Sequence, residues 1–150
     1  AAGNPLRLHT LRDVARLQAR FVNRAIGTGT RLLLEALLVQ GGLAAEDLRG
    51  FERDESSHAA VAQAVAGGVA DVGLGTESAA QRHGLGFVPL TDARYLLVCL
   101  KSALELPAVQ SLLTLLRSAR WQQQLLALPG YQPDHCGEVA AMKRLLPWWR

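Results

Sequence analysis

The chain has 150 residues, of which 49% are hydrophobic and 19% charged, and its formal net charge is +3. This length and composition are enough for one ordinary hydrophobic core and exclude a disordered chain, so we expect one compact domain. The basic residues are spread among acidic ones, which argues against a nucleic-acid-binding surface, because such surfaces concentrate Lys and Arg on one face. Aromatic residues are only 5% of the chain, which favours an α/β fold over a β-sandwich.

The two cysteines indicate the redox state of the cellular compartment, and the hydropathy pattern indicates whether a segment spans a membrane. Cys99 lies in an apolar run and Cys136 in a turn-like stretch, without the CxxC or Cys/His spacing of a metal site. We expect reduced thiols in a cytoplasmic protein, with a Cys99–Cys136 disulfide as the minor alternative. No apolar stretch reaches the roughly 18 residues that span a bilayer, and no signal-peptide pattern opens the chain. We therefore expect no membrane segment, and neither a metal nor a cofactor.

The first part of the chain predicts a strand followed by a helix. Residues 1–18 are a lead-in with a short helix capped by Thr10, and a strand follows at about 19–23. The next helix, over 30–40, is apolar nearly all round, so we expect it to be largely buried. The Gly41-Gly42 pair is expected to end this helix with a left-handed cap.

The same module then repeats. A short exposed strand or turn is predicted at 48–53, helices at 59–66 and 77–83, and strands at 70–75 and 87–90. Strands separated by helices of this length imply crossover connections and a parallel sheet. We therefore expect a βαβ core that extends over residues 19–100.

The pattern of apolar residues changes from Asp92 onward. A long apolar run at 93–100 predicts a further strand. From Pro107 onward, apolar residues recur at helical spacing, which predicts C-terminal helices over 107–130. The tail, 131–150, is less regular, and its apolar residues, which include the Trp148-Trp149 pair, are expected to cap the core or touch a partner.

Each predicted strand-to-helix turn ends in a residue with a small hydroxyl group. These residues are Thr28 and Thr30 in the first turn, Ser56 and Ser57 in the second, and Thr76 in the third. Because the carboxyl ends of parallel strands lie at one edge of a sheet, the turns and the helix N-termini are expected to converge on one crevice. The alternative is that these residues are ordinary helix N-caps.

The first turn is the most informative segment for function. Its sequence is Gly27-Thr28-Gly29-Thr30-Arg31. Glycines allow the backbone to approach a ligand, hydroxyls can donate hydrogen bonds, and a helix N-terminus carries unpaired N–H groups, so the turn predicts anion binding. It lacks the Gly-Lys-Ser/Thr of a P-loop and the third glycine of a dinucleotide fingerprint, which argues against nucleotides. Arg31 could contact the anion or form an i, i+4 ion pair with Glu35, and both interpretations remain open.

Three more residues are candidates, each with a structural alternative. His58, in the first turn of its helix, is a ligand donor or general base, or else a partly exposed polar residue. Tyr95 lines the crevice with its hydroxyl or packs in the core. Asp71 is expected to bond nearby backbone and orient its strand, with a role in the site as the alternative. Because no Ser-His-Asp or Cys-His signature accompanies them, we expect the chain not to be an enzyme.

In combination, these segments resemble a known family. The resemblance covers roughly residues 4–138, and the blocks that carry it include Arg20-Phe21-Val22-Asn23-Arg24, Gly27-Thr28-Gly29-Thr30-Arg31, Ser57-His58-Ala59-Ala60-Val61, Ala70-Asp71-Val72-Gly73-Leu74-Gly75 and Phe87-Val88-Pro89-Leu90. They are similar to the periplasmic-binding-protein-like domain of molybdate-type helix-turn-helix regulators and of molybdopterin-biosynthesis proteins. Where the family usually has serine between the two glycines, this chain has Thr28, which keeps the hydroxyl but crowds the turn.

The resemblance implies one lobe of a type 2 periplasmic-binding-protein fold, a three-layer α/β structure with a parallel sheet. The family's first lobe, which should precede Asn4, and its DNA-binding segment are absent from this chain. The implied ligand is a small anion, often an oxyanion such as molybdate or tungstate. Carried over, the ligand contacts are Gly27, Thr28, Gly29, Thr30, Arg31, Ser57, His58, Thr76 and Tyr95.

The resemblance also implies a function. The chain is expected to be a ligand-sensing, non-enzymatic domain of a cytoplasmic transcription regulator, which contacts DNA only through a domain absent from this chain. The alternatives are a solute-binding protein of a transport system and an accessory domain in molybdopterin biosynthesis. Apolar surface that would face the missing lobe is available to pair two copies of the chain as a homodimer.

Overall fold

A computed structural model describes residues 1–146 of the chain and divides it into two compact units. The first unit comprises Ala1–Asp92, and the second begins at Ala93. The prediction of a single lobe with a lead-in, a βαβ core, C-terminal helices and a tail is not tested by this division and stays a prediction.

The first unit is built on a three-stranded parallel sheet. Its strands are β1 (Phe21–Arg24), β2 (Asp54–Glu55) and β3 (Val72–Gly73), in the order β2-β1-β3. In the register, Asn23 lies opposite Asp54, and Phe21 lies opposite Val72. The helices are α1 (Leu11–Arg16), α2 (Gly29–Gly41), α3 (His58–Ala66) and α4 (Glu77–Arg82), with a short 3-10 turn at Ala45–Asp47. The predicted α/β class and parallel sheet are confirmed.

Two apolar clusters cover the two faces of this sheet. Successive side chains of a strand point to opposite faces, so the neighbours Phe21 and Val22 belong to different clusters. The Phe21 cluster contains residues from α1, α2 and the following loop, namely Val14, Leu34, Leu38, Leu48 and Phe51. The Val22 cluster contains residues from α3 and the segment after it, namely Val61, Ala64, Val65 and Ala70. The unit therefore has three layers, with the sheet in the middle.

Local signals in the sequence set the ends of the helices. The Thr10 side chain accepts a hydrogen bond from the Asp13 N–H, and the Asp13 carboxylate accepts one from the Thr10 N–H, which is a capping box at the start of α1. Gly42 ends α2 with a φ of 64°, the left-handed conformation predicted for it.

The prediction that α2 is largely buried is wrong. Leu34 and Leu38 are buried, but Leu32 and Val39 are 62% and 78% exposed. An apolar helix is buried all round only when other elements cover each of its faces, and the first unit packs a single face of α2 on the sheet. Residues 48–53 form a turn, one of the two predicted alternatives, but Leu48 and Phe51 within it are buried and not exposed as expected.

The strands predicted at 87–90 and 93–100 are not present. Both segments lack regular secondary structure, and residues 91–100 are exposed throughout. A strand needs a neighbouring strand to satisfy its backbone N–H and C=O groups, and the described sheet ends with β2 and β3. The apolar content of these segments is therefore insufficient to make them strands here.

The second unit is helical in its described part. After a 3-10 segment at Lys101–Glu105 come α5 (Pro107–Arg117), α6 (Ala119–Leu126) and α7 (Met142–Leu145). Ser118 separates α5 from α6: its backbone is extended, and its hydroxyl caps α6 by accepting the Trp121 N–H. Cys99 and Cys136 are both free thiols. The Trp148-Trp149 pair lies outside the described residues.

Candidate functional site

The candidate site is the edge of the sheet at which all three strands end. Because the strands are parallel, β1, β2 and β3 present their carboxyl ends at the same edge, and each is followed by a loop and a helix. The loops 25–28, 56–57 and 74–76 and the N-termini of α2, α3 and α4 therefore lie along this edge, which we call the loop edge.

In the first loop, Thr28 is a helix cap with both of its hydrogen-bonding functions in use. Its hydroxyl donates to the Ala25 carbonyl at 2.8 Å and accepts the Arg31 N–H at 3.3 Å. Gly27 has a φ of 85°, which a residue with a side chain rarely adopts. A Cβ added at either Gly27 or Gly29 would meet no atom within 4 Å, so the space over this turn is open.

The first turn of α2 leaves donors unused. In the part of the chain that the structure describes, the Gly29 and Thr30 N–H groups have no acceptor, and the Thr30 hydroxyl has no hydrogen-bond partner. Unpaired N–H groups at a helix N-terminus attract anions because the helix dipole also places partial positive charge there. Thr30 is therefore freer than Thr28 to contact a ligand.

Arg31, which the sequence left open, is engaged within the fold. Its Nε donates to a carboxylate oxygen of Glu35 at 2.9 Å, and its Nη1 donates to the Phe51 carbonyl at 3.4 Å. The guanidinium also lies over the Phe51 ring, and the side chain is buried. These contacts favour the i, i+4 ion-pair interpretation over direct contact with an anion.

The second loop places a capped helix and a histidine at the edge. The Ser57 hydroxyl accepts the Ala60 N–H at 3.0 Å and so caps α3. His58 is the first residue of α3, and its Nδ1 is buried without a hydrogen-bond partner among residues 1–146. Burial lowers the pKa of His58, and the nearby positive charge of Arg24 lowers it further. The imidazole is consequently neutral at pH 7.

The third loop approaches the second. A Cβ placed on Gly75 would lie 3.7 Å from His58 Nδ1, so the loop that precedes α4 passes beside this ring. Thr76 precedes α4 without capping it through its side chain, and its hydroxyl lies 3.3 Å from that of Ser78. The structure therefore brings His58 and the Gly75-Thr76 segment together.

Two other candidates fall outside the loop edge or outside this unit. Asp71 lies just before β3, at the opposite edge, and its carboxylate forms a bidentate ion pair with Arg20 at 2.6 and 3.0 Å. It therefore orients the strand, as the sequence predicts. Tyr95 belongs to the second unit, where it is 73% exposed, and its contact with a ligand stays a prediction.

Arg24, which the sequence analysis did not single out, also lies at the loop edge. This arginine ends β1 and is only 9% exposed. Its Nε and Nη2 donate to the carbonyls of Glu55 and Ser56 at 3.3 and 3.1 Å, so the guanidinium lies beside the second loop. The available signal was a charged residue directly after an apolar strand, at the predicted carboxyl edge of the sheet.

Two other kinds of site are not found at the loop edge. Within residues 1–146, no group of three or more His, Cys, Asp or Glu side chains is arranged to hold a metal ion. A shallow cavity of about 350 Å³ lies along residues 45–52, which precede β2 and so lie toward the opposite edge of the sheet.

None of the helices described is long and apolar enough to cross a membrane.

The loop edge lies outside the carboxyl ends of the strands, the position at which parallel α/β folds bind ligands. A family model, that of the PBP superfamily domain, matches residues 1–117. The chain belongs to this family, which confirms the predicted likeness to periplasmic binding proteins. That the ligand is molybdate or tungstate, and that the domain belongs to a transcription regulator, stay predictions.

Two curated relatives support the family assignment. The chain is 33% identical over 137 residues to the uncharacterized protein YvgK of Bacillus subtilis, a match that covers 91% of this chain and 44% of YvgK. It is 31% identical over 109 residues to an uncharacterized protein in the ferredoxin 2Fe-2S gene 5' region of Clostridium pasteurianum, covering 72% of this chain and 96% of that protein. The chain thus spans less than half of the length of YvgK. No solved structure matches the chain significantly.

Proposed function

We propose that this domain binds a small oxyanion, such as molybdate or tungstate, at the loop edge and acts as the non-catalytic sensing domain of a cytoplasmic transcription regulator. The supporting observation is the convergence of three helix N-termini on one edge, next to unused donors at Gly29 and Thr30. Contact with DNA is assigned to a domain outside this chain. Binding transmits a signal by favouring one of two conformations of the larger protein.

The ligand contacts follow from which groups are free. The N–H groups of Gly29 and Thr30 and the Thr30 hydroxyl donate to the anion from the first loop. His58 and Thr76 face it from the second and third loops. Gly27 keeps the turn open through its positive φ, whereas Thr28 and Ser57 chiefly cap their helices. Arg31 is left out of this contact set because Glu35 and Phe51 occupy its guanidinium.

The test is isothermal titration of the chain with molybdate, tungstate and sulfate. Wild type is expected to bind at least one of them saturably, and Thr30→Val, which keeps the shape but removes the hydroxyl, is expected to bind about tenfold more weakly. The double variant Thr28→Ala plus Thr30→Ala should lose binding. Thr10→Ala is the control, because it removes a helix cap of the same kind from α1. Equal binding by wild type and the double variant would refute the proposal.

A further inference from the structure

Arg24 differs from the other buried or ion-paired arginines of the first unit in its charge balance. Arg31 is buried against Glu35, and Arg20 is held by Asp71. Arg24 is 9% exposed, close to the 6% of Arg31, but within the described residues no carboxylate lies within 4.0 Å of its guanidinium. Its two hydrogen bonds go to backbone carbonyls, and its Nη1 has no acceptor among these residues. A buried charge that lacks a counter-charge is costly, so an anion bound beside Arg24 would be favoured.

The surroundings of Arg24 add to this imbalance. The carbonyls that it contacts belong to Glu55 and Ser56, immediately before the N-terminus of α3. This nine-residue helix directs the positive end of its dipole to the same place. The charge of Arg24 also disfavours protonation of His58. A guanidinium, a helix N-terminus and an imidazole thus lie close to one another at the second loop.

His58 supplies the second, independent observation. Its Nδ1 is buried and has no hydrogen-bond partner in the described part of the chain. Buried side-chain nitrogen atoms are nearly always hydrogen-bonded, so Nδ1 is available to a partner outside the chain, a water molecule or a ligand. Gly75 leaves room beside this atom, since even an added Cβ would make only ordinary contact at 3.7 Å.

We infer that Arg24 and His58 are the charge-recognising part of the ligand site: Arg24 supplies the cation and His58 donates a hydrogen bond from Nδ1 to a deprotonated oxyanion. The inference rests on the proposed function and deepens it. It restricts the ligand to anions and excludes neutral solutes such as sugars. The two carbonyl contacts of Arg24 join the second loop to β1. The inference adds a second role for this residue, which is to supply positive charge to the ligand.

The test combines titration with nuclear magnetic resonance. Wild type, Arg24→Gln and Arg53→Gln are titrated with molybdate, sulfate and inorganic phosphate, and folding of each variant is checked by circular dichroism. Arg53 is the matched control because its guanidinium donates to a backbone carbonyl, that of Val69, away from the loop edge. We expect Arg24→Gln to weaken anion binding by at least about tenfold and Arg53→Gln to leave it within about twofold.

In parallel, ¹⁵N spectra of the His58 ring are recorded for wild type with and without each anion. We expect saturating anion to move Nδ1 to the protonated form. Wild-type binding with no change at His58, or equal binding by wild type and folded Arg24→Gln, would overturn this inference while leaving the proposed function intact. Absence of any anion binding by wild type would instead overturn both.

If Arg24→Gln does not fold, Arg24→Lys replaces it. This variant is expected to bind anions more weakly than wild type, because it keeps the charge but loses the geometry that contacts two carbonyls. Equal binding by Arg24→Lys and wild type would count against the inference.

Discussion

The Arg31 guanidinium carbon lies 3.9 Å from the centroid of the Phe51 ring, and the same guanidinium donates to the Phe51 carbonyl and to Glu35. These contacts join α2 to the loop that precedes β2. Because the ring and the cation are both buried, this arrangement stabilises the first unit and is not a surface ion pair.

We therefore predict that Arg31→Met destabilises the protein by about 2 kcal/mol, since it removes the cation–π contact and leaves the Phe51 carbonyl without this donor. Urea unfolding followed by circular dichroism measures the change. Arg16→Gln is the control, because the Arg16–Asp13 pair is on the surface and its loss should cost less than about 0.5 kcal/mol. Similar effects of the two substitutions would contradict the assignment.

Gly73 in β3 lies where no side chain fits. A Cβ at this position would lie 2.6 Å from Val61 Cγ1 and 2.8 Å from the Val22 carbonyl oxygen. We predict that Gly73→Ala destabilises the protein by about 2 kcal/mol or more, because α3 must move away from the sheet. Gly41→Ala should instead be neutral or stabilising by about 0.5 kcal/mol, since its Cβ would make only ordinary contact with Leu43. Thermal unfolding of both variants tests this difference.

The ion pair between Asp71 and Arg20 is expected to make the folded protein less stable in acid. Hydrogen bonds from the Arg20 guanidinium lower the pKa of Asp71 to about 2, from 3.8. Because the folded-state pKa is the lower one, the stabilisation is complete above pH 4, decreases below it, and is lost as the pH falls through about 2. Asp71→Asn should cost about 1 kcal/mol at pH 7, a figure reduced for the exposure of the Arg20 side chain, and clearly less at pH 2, where the native carboxyl group is already partly protonated. A cost at pH 2 as large as that at pH 7 would point to a purely steric effect.

The buried ring of His58 is expected to make the stability of the protein depend on pH in a second, higher range. Burial and Arg24 lower its pKa below 6.5, so the folded protein prefers the neutral ring. Stability is therefore complete above pH 6.5 and decreases as the pH falls through this value, because protonation then favours the unfolded chain. We expect wild type to lose more stability than His58→Gln between pH 7.5 and 5.5. Parallel urea unfolding at both pH values measures this, and identical losses would argue against a buried Nδ1.

The helices of the first unit were predictable because their signals are local. Thr10 with Asp13 and the glycine at 42 act on backbone groups within one turn, so their effect does not depend on distant parts of the chain. The hydroxyl residues at the starts of α2 and α3 were predictable for the same reason, although Thr28 and Ser57 proved to be caps first. Their contact with a ligand stays a prediction.

The errors have a common physical origin. The run at 93–100 has the apolar content of a strand, but strand formation requires a partner whose position no local pattern specifies. The apolar surface of α2 likewise predicted burial, yet Leu32 and Val39 are exposed because burial depends on what packs against the helix. Arg24 was overlooked because its significance lies in Ser56 and His58, which are more than 30 residues away in the sequence.

The amino-acid sequence alone determined the α/β class, the parallel crossovers and the three polar turns, since hydropathy period, glycine placement and capping residues act over a few neighbouring positions. The tertiary structure decided which donors remain free. It occupied the guanidinium of Arg31 with Glu35 and Phe51, and it left Arg24 and His58 Nδ1 without negative partners among the described residues. That distinction depends on burial and on contacts between distant segments, and only the folded chain brings those together.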